Sequence, residues 1–402
     1  MNSRERVLTT LQHQEPDRVP IDCGAMRSTG MTALAYHHLK QHLGLTEGYI
    51  RVYDVMQQLA EIDPVILQHF EVDVVDIVNT SLCPDPRPWQ PYTLPDGTPA
   101  EVPPDAWLEP DGQGGLLAKN PDGTVWGQMP KGCLYFEMIQ PPLGAPREPV
   151  SSYKLPKYSA DQLAWLRQRA QALYEKTDFA LMGGFGGNIL ENGQFMRGWG
   201  NFMMDLGEGD TYVTDFINHL VEQHLENLDA YLDAVGPYIQ LIQMGDDMGT
   251  QAGPQLSLDM FRKFILPAQA KVYAFAKKKC PHVALFLHSC GSIEIYLNDL
   301  IEAGVEVLNP VQTSAKNMDP VHLKQTYGDR LTFWGGGCDT QVILPHSTPE
   351  DIDRHVRERM HIFAPGGGYV FTTIHNVQAD VPSANVAAVY EAAKKYRHYP
   401  IR

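Results

Sequence analysis

The sequence predicts a (β/α)8 TIM barrel with a β-hairpin-rich insertion after an early strand. Two observations carry this prediction. Apolar, β-branched runs alternate with helical periods along most of the 402 residues, and polar side chains cluster where those runs end. Eight runs can be counted, at 19–22, 72–78, 179–182, 238–244, 283–287, 305–308, 331–334 and 369–371. Eight strand–helix units are the number that closes into a barrel.

The N-terminal part of the chain carries the first two strands and the most irregular sequence. Its predicted elements are, in order, a helix over 3–13, a strand over 19–22, helices over 31–43 and 51–60, and a strand over 72–78. Residues 80–157 then lose the helical period and are crowded with proline and glycine, as in PDPRPWQPY and NPDGTVWG. We interpret this stretch as an insertion of β-hairpins within a single domain that spans residues 1–402. It could cover an active site or only shield the domain.

From residue 158 onward helices and strands alternate regularly. The predicted helices between and after the strands lie at 160–176, 189–205, 211–235, 257–279, 292–302, 319–327, 349–363 and 383–396. Such alternation requires parallel strands with crossover helices, for which an open doubly wound sheet is the competing architecture. A GxGxxG pattern does not follow the first strand, so the dinucleotide-binding form of that sheet is not supported.

Composition narrows the classes of partner. A formal net charge of −16 opposes binding to nucleic acid, because phosphate recognition needs a concentrated basic surface. The start of the chain is polar and charged, and no apolar run reaches the length of a membrane span. Six cysteines without regular spacing do not indicate a disulfide framework. We therefore expect a cytoplasmic protein without a membrane segment that acts on small molecules or on another protein.

In a barrel of this kind, functional groups gather just beyond the C-terminal ends of the strands. Eight polar or thiol side chains lie at or near predicted strand ends, namely Asp76, Asp246, Asp247, His288, Cys290, Asn309, Cys338 and His375. Although they are scattered over 300 positions of the chain, the barrel prediction places them around one mouth.

The stretch FLHSCG suggests a metal site. His288 and Cys290 are two residues apart, so both side chains point the same way if the backbone stays extended. Cys338 follows another strand in WGGGCDT. Imidazole with soft thiolates favours zinc, and three protein ligands leave a fourth position free for substrate, as in catalytic zinc sites. The alternative is that both cysteines are small buried residues and His288 a hydrogen-bonded core histidine.

The remaining candidates have less specific roles. Asp246 and Asp247 could supply a ligand, orient His288, contact the substrate or act as a base. Their alternative is a helix cap or a solvated loop. His375 is a candidate substrate contact or proton donor, Asn309 a candidate substrate contact, and Arg27 could bind an anionic group.

The chain resembles the uroporphyrinogen decarboxylase superfamily over nearly its whole length. The stretches that carry the resemblance include SRERVLTTLQHQEPDRVP, GGFGGNILENGQFMRGWGNFMMDL, LFLHSCGSIEIYLNDLIEAGVEVLNPVQ and GGGYVFTTIHNVQADVPSANVAAVYEAA. The resemblance implies a barrel with its site at the C-terminal mouth. It also implies that Asp76, in VVDIV, occupies the position of the catalytic aspartate of the decarboxylases.

Two branches of the superfamily are relevant. Decarboxylases carry an arginine-rich RQAGR segment, where this chain has Arg27-Ser28-Thr29-Gly30-Met31, so one arginine is replaced. Cobamide-dependent methyltransferases carry an H-x-C…C zinc motif, which His288, Cys290 and Cys338 match. Where some of these methyltransferases have a cysteine–glycine pair, this chain has His375. A D-x-H-x-x-G cobalamin motif does not occur in the sequence, so the resemblance implies a corrinoid carried by a separate protein.

These observations lead to three hypotheses. The first is a zinc-dependent methyltransferase that moves a methyl group between a corrinoid protein and a small substrate, either a thiol acceptor or a methoxy-compound donor. The second is a metal-independent lyase that decarboxylates an aromatic or tetrapyrrole substrate through Asp76 and Arg27. The third is a binding protein without catalytic activity on the barrel scaffold. Members of the superfamily are often dimers, so the resemblance also implies a homodimer.

Overall fold

The computed structural model of the protein describes residues 1–133, 135–144 and 147–401. Its strands are β1 (Val52–Asp54), β2 (Leu59–Ala60), β3 (Val74–Asp76), β4 (Gln90–Thr93), β5 (Pro99–Val102), β6 (Trp107–Pro110), β7 (Leu116–Lys119), β8 (Val125–Met129), β9 (Glu137–Met138), β10 (Ala180–Gly186), β11 (Leu241–Gly245), β12 (Ala284–His288), β13 (Val307–Asn309), β14 (Thr332–Trp334) and β15 (Tyr369–Val370). Its helices are α1 (Ser3–Leu11), α2 (Ala33–Leu43), α3 (Pro64–His69), α4 (Ala160–Lys176), α5 (Leu190–Arg197), α6 (Trp199–Glu208), α7 (Thr211–Val235), α8 (Leu258–Met260), α9 (Leu266–Lys279), α10 (Leu297–Glu302), α11 (Pro320–Tyr327), α12 (Ile343–His346), α13 (Pro349–Phe363) and α14 (Ser383–Tyr396).

Seven of the described strands form one parallel sheet, in the order β15–β14–β13–β12–β11–β10–β3. The strand predicted at 19–22 is reduced to a short bridge. Ile21 pairs in parallel with Phe371, and its carbonyl oxygen accepts the N–H of Asp73 at 2.8 Å. Because these partners adjoin β15 and β3, the two edges of the sheet, the segment around Ile21 closes the barrel. The predicted (β/α)8 barrel is confirmed, with its first strand shorter than expected.

Side chains alternate between the barrel interior and the layer of helices. The interior cluster consists of Val7, Ala25, Met26, Val74, Ala180, Met182, Leu241, Ala284, Phe286, Val307, Trp334 and Val370. The intervening residues Leu285 and Leu287 belong instead to the larger core between sheet and helices. Val7 lies on α1, so this helix packs against the N-terminal end of the barrel. The C-terminal end remains the open mouth.

Helix boundaries depart from the sequence prediction in several places. The predicted helix over 51–60 is wrong, because β1 and β2 pair there as an antiparallel hairpin. Asp54 Oδ1 accepts the N–H of Gln57 at 2.9 Å, and Gln58 adopts a φ of 55° in the turn. The predicted helix over 189–205 is divided at Gly198, with φ 80°, and that over 257–279 contains a π-helical turn. Within the described residues no helix combines the length and apolarity needed to cross a membrane.

The β-hairpin-rich insertion is also confirmed. Strands β4 and β5 form one antiparallel pair, and β6, β7, β8 and β9 form a four-stranded antiparallel sheet. One residue that follows β8, Tyr135, reaches the barrel mouth, where its hydroxyl donates to Asn376 Oδ1 at 3.2 Å. The insertion therefore contributes to the walls above the C-terminal ends of the strands.

Candidate active site

A cavity of about 420 Å³ opens at the C-terminal ends of the strands, and we call it the mouth cavity. Asp76 and His288 each lie two residues beyond an interior apolar residue, so strand alternation points both side chains into the barrel. Loops after β11 and β15 add Asp247 and His375. The other lining residues are Ala25, Met26, Arg27, Ser28, Gln57, Val78, Asn79, Met182, Gly184, Phe185, Gly186, Asn188, Glu191, Gln243 and Gly245.

The imidazole of His288 is held in one orientation by Asn309. Its Nδ1 lies 2.6 Å from Asn309 Oδ1 and 3.2 Å from Ser28 Oγ. Asn309 Nδ2 donates to the carbonyl oxygen of Trp334 at 2.8 Å, which makes Oδ1 the amide atom that faces the ring. Because Oδ1 only accepts hydrogen bonds, the proton of His288 resides on Nδ1 and the lone pair of Nε2 is free for a metal. Asn309, a predicted substrate contact, thus orients His288.

Cys290 lies beside the free nitrogen of His288. Its Sγ is 3.4 Å from Nε2, and its backbone N–H donates to Asp247 Oδ1 at 2.8 Å. Gly291 follows with φ 86° and lies so close to the backbone at 249–250 that a Cβ could not be accommodated. Burial and the carboxyl groups of Asp247 and Glu191 raise the pKa of the Cys290 thiol well above its usual range.

His375 completes a group of three side chains of the types that bind metal ions. Its Nδ1 lies 2.9 Å from Asn376 Oδ1, while Asn376 Nδ2 donates to Gln57 Oε1 at 2.7 Å. Asn376 Oδ1, the side-chain oxygen, therefore accepts a hydrogen bond from His375 Nδ1. The other ring nitrogen, His375 Nε2, is then available as a metal ligand. Within the described residues, the ligand atoms of His288, Cys290 and His375 all lie within 4.8 Å of one another.

This donor set fits a zinc ion. Two imidazoles that present a lone pair and one thiol are ligands that zinc accepts, and three protein ligands correspond to a catalytic site with an open position. The carboxyl groups beside Cys290 disfavour an isolated thiolate, whereas a cation bound between the three donors would reverse this effect. The asparagines on the two Nδ1 atoms are the outer partners that metal-bound histidines generally have.

Cys338 is not among the three side chains that the structure brings together. It is fully buried and belongs to the core between sheet and helices, and its thiol contacts the carbonyl oxygen of Asp339 at 3.8 Å. Three glycines precede it, and two of them have positive φ, 118° at Gly335 and 65° at Gly336. They end the extended path after β14, so strand alternation no longer predicts the direction of Cys338. Burial raises the pKa of its thiol, while Arg359 acts in the opposite direction.

Asp246 is buried behind the mouth cavity rather than in it. Its carboxylate accepts the backbone N–H groups of Ile189, Leu190 and Glu191 at 2.8–3.0 Å, and the amide of Gln269 at 3.0 Å. It therefore caps the N-terminus of α5 from a neighbouring loop. Of the two roles considered for Asp246, helix cap and substrate contact, the structure shows the helix cap.

Glu191 is a residue of the site that was not predicted from the sequence. Its Oε2 accepts the N–H of Asp247 at 3.0 Å, and the side chain lines the mouth cavity. Burial and the nearby carboxyl groups of Asp247 and Asp246 raise the pKa of Glu191 to about 8. Asp247 Oδ1 in turn lies 3.6 Å from His288 Nε2. Its position in the sequence could have indicated a role in the site, because Glu191 is an acidic residue shortly after the glycine-rich end of β10.

Asp76 and Arg27 lie in the same cavity. Asp76 Oδ1 accepts the N–H of Val78 and, at 2.6 Å, that of Asn79; burial raises the pKa of the carboxyl to about 6. Arg27 lies with its Nε 2.6 Å from Asp54 Oδ2 and keeps 69% of its side chain exposed. The one arginine of the described cavity wall is thus already paired with a carboxylate.

Comparison with known proteins gives consistent results. The family model described as uroporphyrinogen decarboxylase (URO-D) matches residues 137–396, well over half of the chain. A uroporphyrinogen decarboxylase of Synechocystis is 26% identical over 176 residues, 42% of this chain and 47% of the relative. A second, of Psychromonas ingrahamii, is 25% identical over 190 residues, 45% of this chain and 49% of the relative. The chain spans about half the length of the curated relatives it matches.

Among solved structures, a methyltransferase from Methanosarcina mazei has a similar fold. It superimposes with a TM-score of 0.61 and 15% identity over 98% of this chain and 99% of that one. At this identity the likeness concerns the fold. The family model, which matches more than half of the chain, establishes that the chain belongs to the uroporphyrinogen decarboxylase family.

Proposed function

We propose that the protein is a zinc-dependent methyltransferase that moves a methyl group between a small substrate and a corrinoid carried by a separate protein. The observation that carries this proposal is the convergence of His288, Cys290 and His375, with both histidines oriented through Nδ1. Decarboxylation requires no such group of soft ligands. The methyltransferase from Methanosarcina mazei has the same fold, which is compatible with the proposal.

The three side chains would hold the zinc ion. When bound, zinc lowers the pKa of a thiol that joins it, or polarises a methyl ether oxygen, and so prepares the bond change at neutral pH. Asn309 and Asn376 keep the imidazoles in the required tautomer. The mouth cavity holds the small substrate beside this group.

The transfer requires a proton acceptor or donor in the cavity. If a thiol accepts the methyl group, its proton leaves, a sulfur lone pair bonds to the methyl carbon, and the electron pair of the old carbon–cobalt bond stays on cobalt. If a methyl ether is the donor, an electron pair from the Co(I) centre of the partner's corrinoid would form the new bond to the methyl carbon. The ether oxygen keeps the electron pair of the broken carbon–oxygen bond and takes up a proton. Asp247 and Glu191 are the carboxyl groups beside Cys290 that can hold this proton, and Asp76 is a third in the same cavity.

Metal analysis of the purified protein tests the ligand set. We expect about one zinc per chain in the wild type, as in other three-ligand sites, and a sharp loss in Cys290→Ala and His375→Ala. The matched control is Cys338→Ala, which removes a buried thiol outside the group and should retain the metal. Loss of zinc in Cys338→Ala together with its retention in His375→Ala would restore the ligand set predicted from the sequence. A metal-free wild type would contradict the proposal.

Activity is tested with methylcobalamin and a panel of thiols and methoxylated aromatic compounds. The expected result is methyl transfer with at least one of these classes, abolished by chelation and restored by zinc. Which class reacts decides the direction of transfer. Failure of every compound to exchange a methyl group in the zinc-loaded protein would argue against the proposed reaction.

A decarboxylase that needs no metal is the second candidate, and the observation that favours it is the buried Asp76 in the mouth cavity of a chain of this family. The described cavity wall carries three carboxyl groups, while its one arginine is paired with Asp54. A tetrapyrrole with carboxylates around its ring would meet repulsion there. Decarboxylation of a smaller carboxylated aromatic compound that survives chelation and fails in Asp76→Asn would support this candidate.

We further propose that residues 1–402 act as one barrel domain, in the cytoplasm and as a homodimer. The physical basis for the first point is the closure of the sheet by Ile21, which joins the N-terminal segment to β15 near the C-terminus. Size-exclusion chromatography with light scattering measures the oligomeric state directly.

A further inference from the structure

A second cavity, of about 400 Å³, lies against the same three metal-binding side chains. It is lined by Tyr135, Gly249, Thr250, Gln251, Cys290, Gly291, Gln312, Thr340, Gln341, Ile374, His375, Asn376 and Gln378, and we call it the amide cavity. Cys290 borders this cavity, His288 borders the mouth cavity, and His375 borders both. The group of three side chains therefore separates two cavities.

The two cavities differ in chemistry. Five side-chain amides line the amide cavity, and its described wall contains no lysine, arginine, aspartate or glutamate. Ionisable side chains line the mouth cavity, namely Arg27, Asp76, Glu191 and Asp247. A neutral ligand with many amide groups is suited to the former, and a small ligand that exchanges a proton is suited to the latter.

Hydrogen-bonding capacity in the amide cavity is only partly used. Gln378 Nε2 donates to the hydroxyl of Tyr135 at 2.7 Å, but its Oε1 is buried and accepts no hydrogen bond from the described residues. Gln251 Nε2 donates to Gln341 Oε1 at 2.7 Å, a bond in which the NH2 group of Gln341 takes no part. The Gln341 side chain is exposed, so its NH2 group can donate to a ligand in the cavity.

We propose that the amide cavity receives the edge of the corrin ring of the partner's corrinoid, while the small substrate occupies the mouth cavity. This inference rests on the proposed function, in which the corrinoid is the second reactant. A corrin ring carries neutral acetamide and propionamide side chains around its rim. Each of these amide groups can both donate a hydrogen bond to and accept one from a glutamine or asparagine side chain, the residue types that line the amide cavity.

The position of the cavities also suits the reaction. In a displacement at a methyl carbon, the incoming and departing atoms lie on opposite sides of that carbon, and catalysis requires that both be held in this order. Two cavities that meet at one group of ligands allow each reactant to approach from its own side. A single shared cavity would require the reactants to compete for the same walls.

Binding of methylcobalamin in the dark, measured by equilibrium dialysis against the zinc-loaded protein, tests the inference without reference to turnover. Gln378→Glu and Gln341→Glu keep the side-chain size. Each places a negative charge in a cavity whose amide side chains are neutral and would face the neutral amides of the corrin ring. We expect each to weaken binding about tenfold while zinc content is unchanged. Because Gln341 is exposed, its variant should fold even if the variant of the partly buried Gln378 does not. The matched control Arg27→Gln, in the mouth cavity, should change the dissociation constant by less than about twofold.

The outcomes separate this inference from the proposed function. If the wild type transfers methyl groups but both glutamate variants bind methylcobalamin as tightly as the wild type, the methyltransferase stands and the assignment of the amide cavity is wrong. If Arg27→Gln is the variant that loses binding, the two cavities have the opposite roles. If the wild type neither binds methylcobalamin nor transfers methyl groups, both proposals fail.

Discussion

Each polar side chain at the barrel mouth is oriented by a specific partner. His288 and Asn309 are direct neighbours across β12 and β13, which places the asparagine amide beside the imidazole. Ser28, from the loop after the first predicted strand, donates to the same Asn309 oxygen at 3.1 Å. An imidazole oriented in this way loses little rotational freedom when it binds a metal, so the residues around it contribute to affinity without touching the ion.

The buried carboxyl group of Asp76 predicts a dependence of stability on pH. Its pKa is about 6 in the folded protein against an ordinary value of 3.8, so between these values the folded state binds more protons than the unfolded state. The free energy of unfolding therefore falls as pH rises through this window. Asp76→Asn should raise it by about 1–3 kcal/mol at pH 8, relative to the wild type, and leave it unchanged near pH 3.5. Urea unfolding at the two pH values measures this difference.

Asp17 provides a control of opposite sign. Its pKa is lowered to about 2, chiefly by the hydrogen bond from Arg6, so the folded state stabilises the carboxylate. Asp17→Asn should therefore destabilise the protein above pH 4, and the loss should disappear as pH falls towards 2. A stabilising effect of both substitutions at pH 8 would show that burial of Asp76 is not the cause.

At the scale of the element, α5 depends on a residue that lies far away in the chain. Asp246, after β11, accepts three N–H groups of the first turn of α5, and this turn carries Glu191 into the mouth cavity. The cap therefore links the geometry of two successive strand ends. Small shifts of α5 would move Glu191 relative to Asp247, whose backbone N–H it accepts.

Removal of this cap should be unusually costly. Asp246→Ala leaves buried N–H groups without an acceptor, so we expect a loss of about 2–4 kcal/mol in the free energy of unfolding. Asp210→Ala removes the exposed cap of α7, where Tyr212 and Val213 donate to the carboxylate, and should destabilise the protein less than Asp246→Ala does. Urea unfolding of both variants provides the comparison. Equal losses would mean that burial of the α5 cap adds nothing.

At the scale of the whole molecule, the three candidate metal ligands bring together distant parts of the barrel. His288 and Cys290 follow β12, and His375 follows β15, three strands further around the sheet. A bound ion would therefore hold together loops that follow different strands. The unfolded chain does not bring these loops together, so it contains no such site. The binding free energy of the ion adds to the stability of the folded barrel.

If zinc binds as proposed, its removal should lower the thermal stability of the whole domain. With free zinc at about a hundred times its dissociation constant, the metal should add about 2.7 kcal/mol to the free energy of unfolding. Differential scanning calorimetry before and after chelation measures the effect. In Cys290→Ala, chelation should leave the melting temperature nearly unchanged, whereas in Cys338→Ala it should lower it as in the wild type. A chelation effect that persists in Cys290→Ala would place the metal elsewhere.

The barrel could be predicted from the sequence because its pattern is local. Strand and helix periods alternate, and polar residues at strand ends point to the mouth through simple two-residue alternation, as Asp76 and His288 do. The predicted helix over 51–60 failed because its residues are also compatible with a hairpin, and pairing between β1 and β2 decides between the two structures. Asp246 was ambiguous for a similar reason, since a carboxylate can cap a helix that is 55 residues distant in the chain.

The sequence alone predicted a barrel with a histidine and a cysteine side by side at its mouth, because both follow from the period of one strand. The third candidate metal ligand could be identified only from the tertiary structure. After β14 two glycines with positive φ break the alternation and Cys338 joins the core, whereas the loop after β15 brings His375 to the other two. The direction of a side chain beyond a strand end depends on loop dihedrals and on contacts from other strands, and neither is contained in a residue pattern.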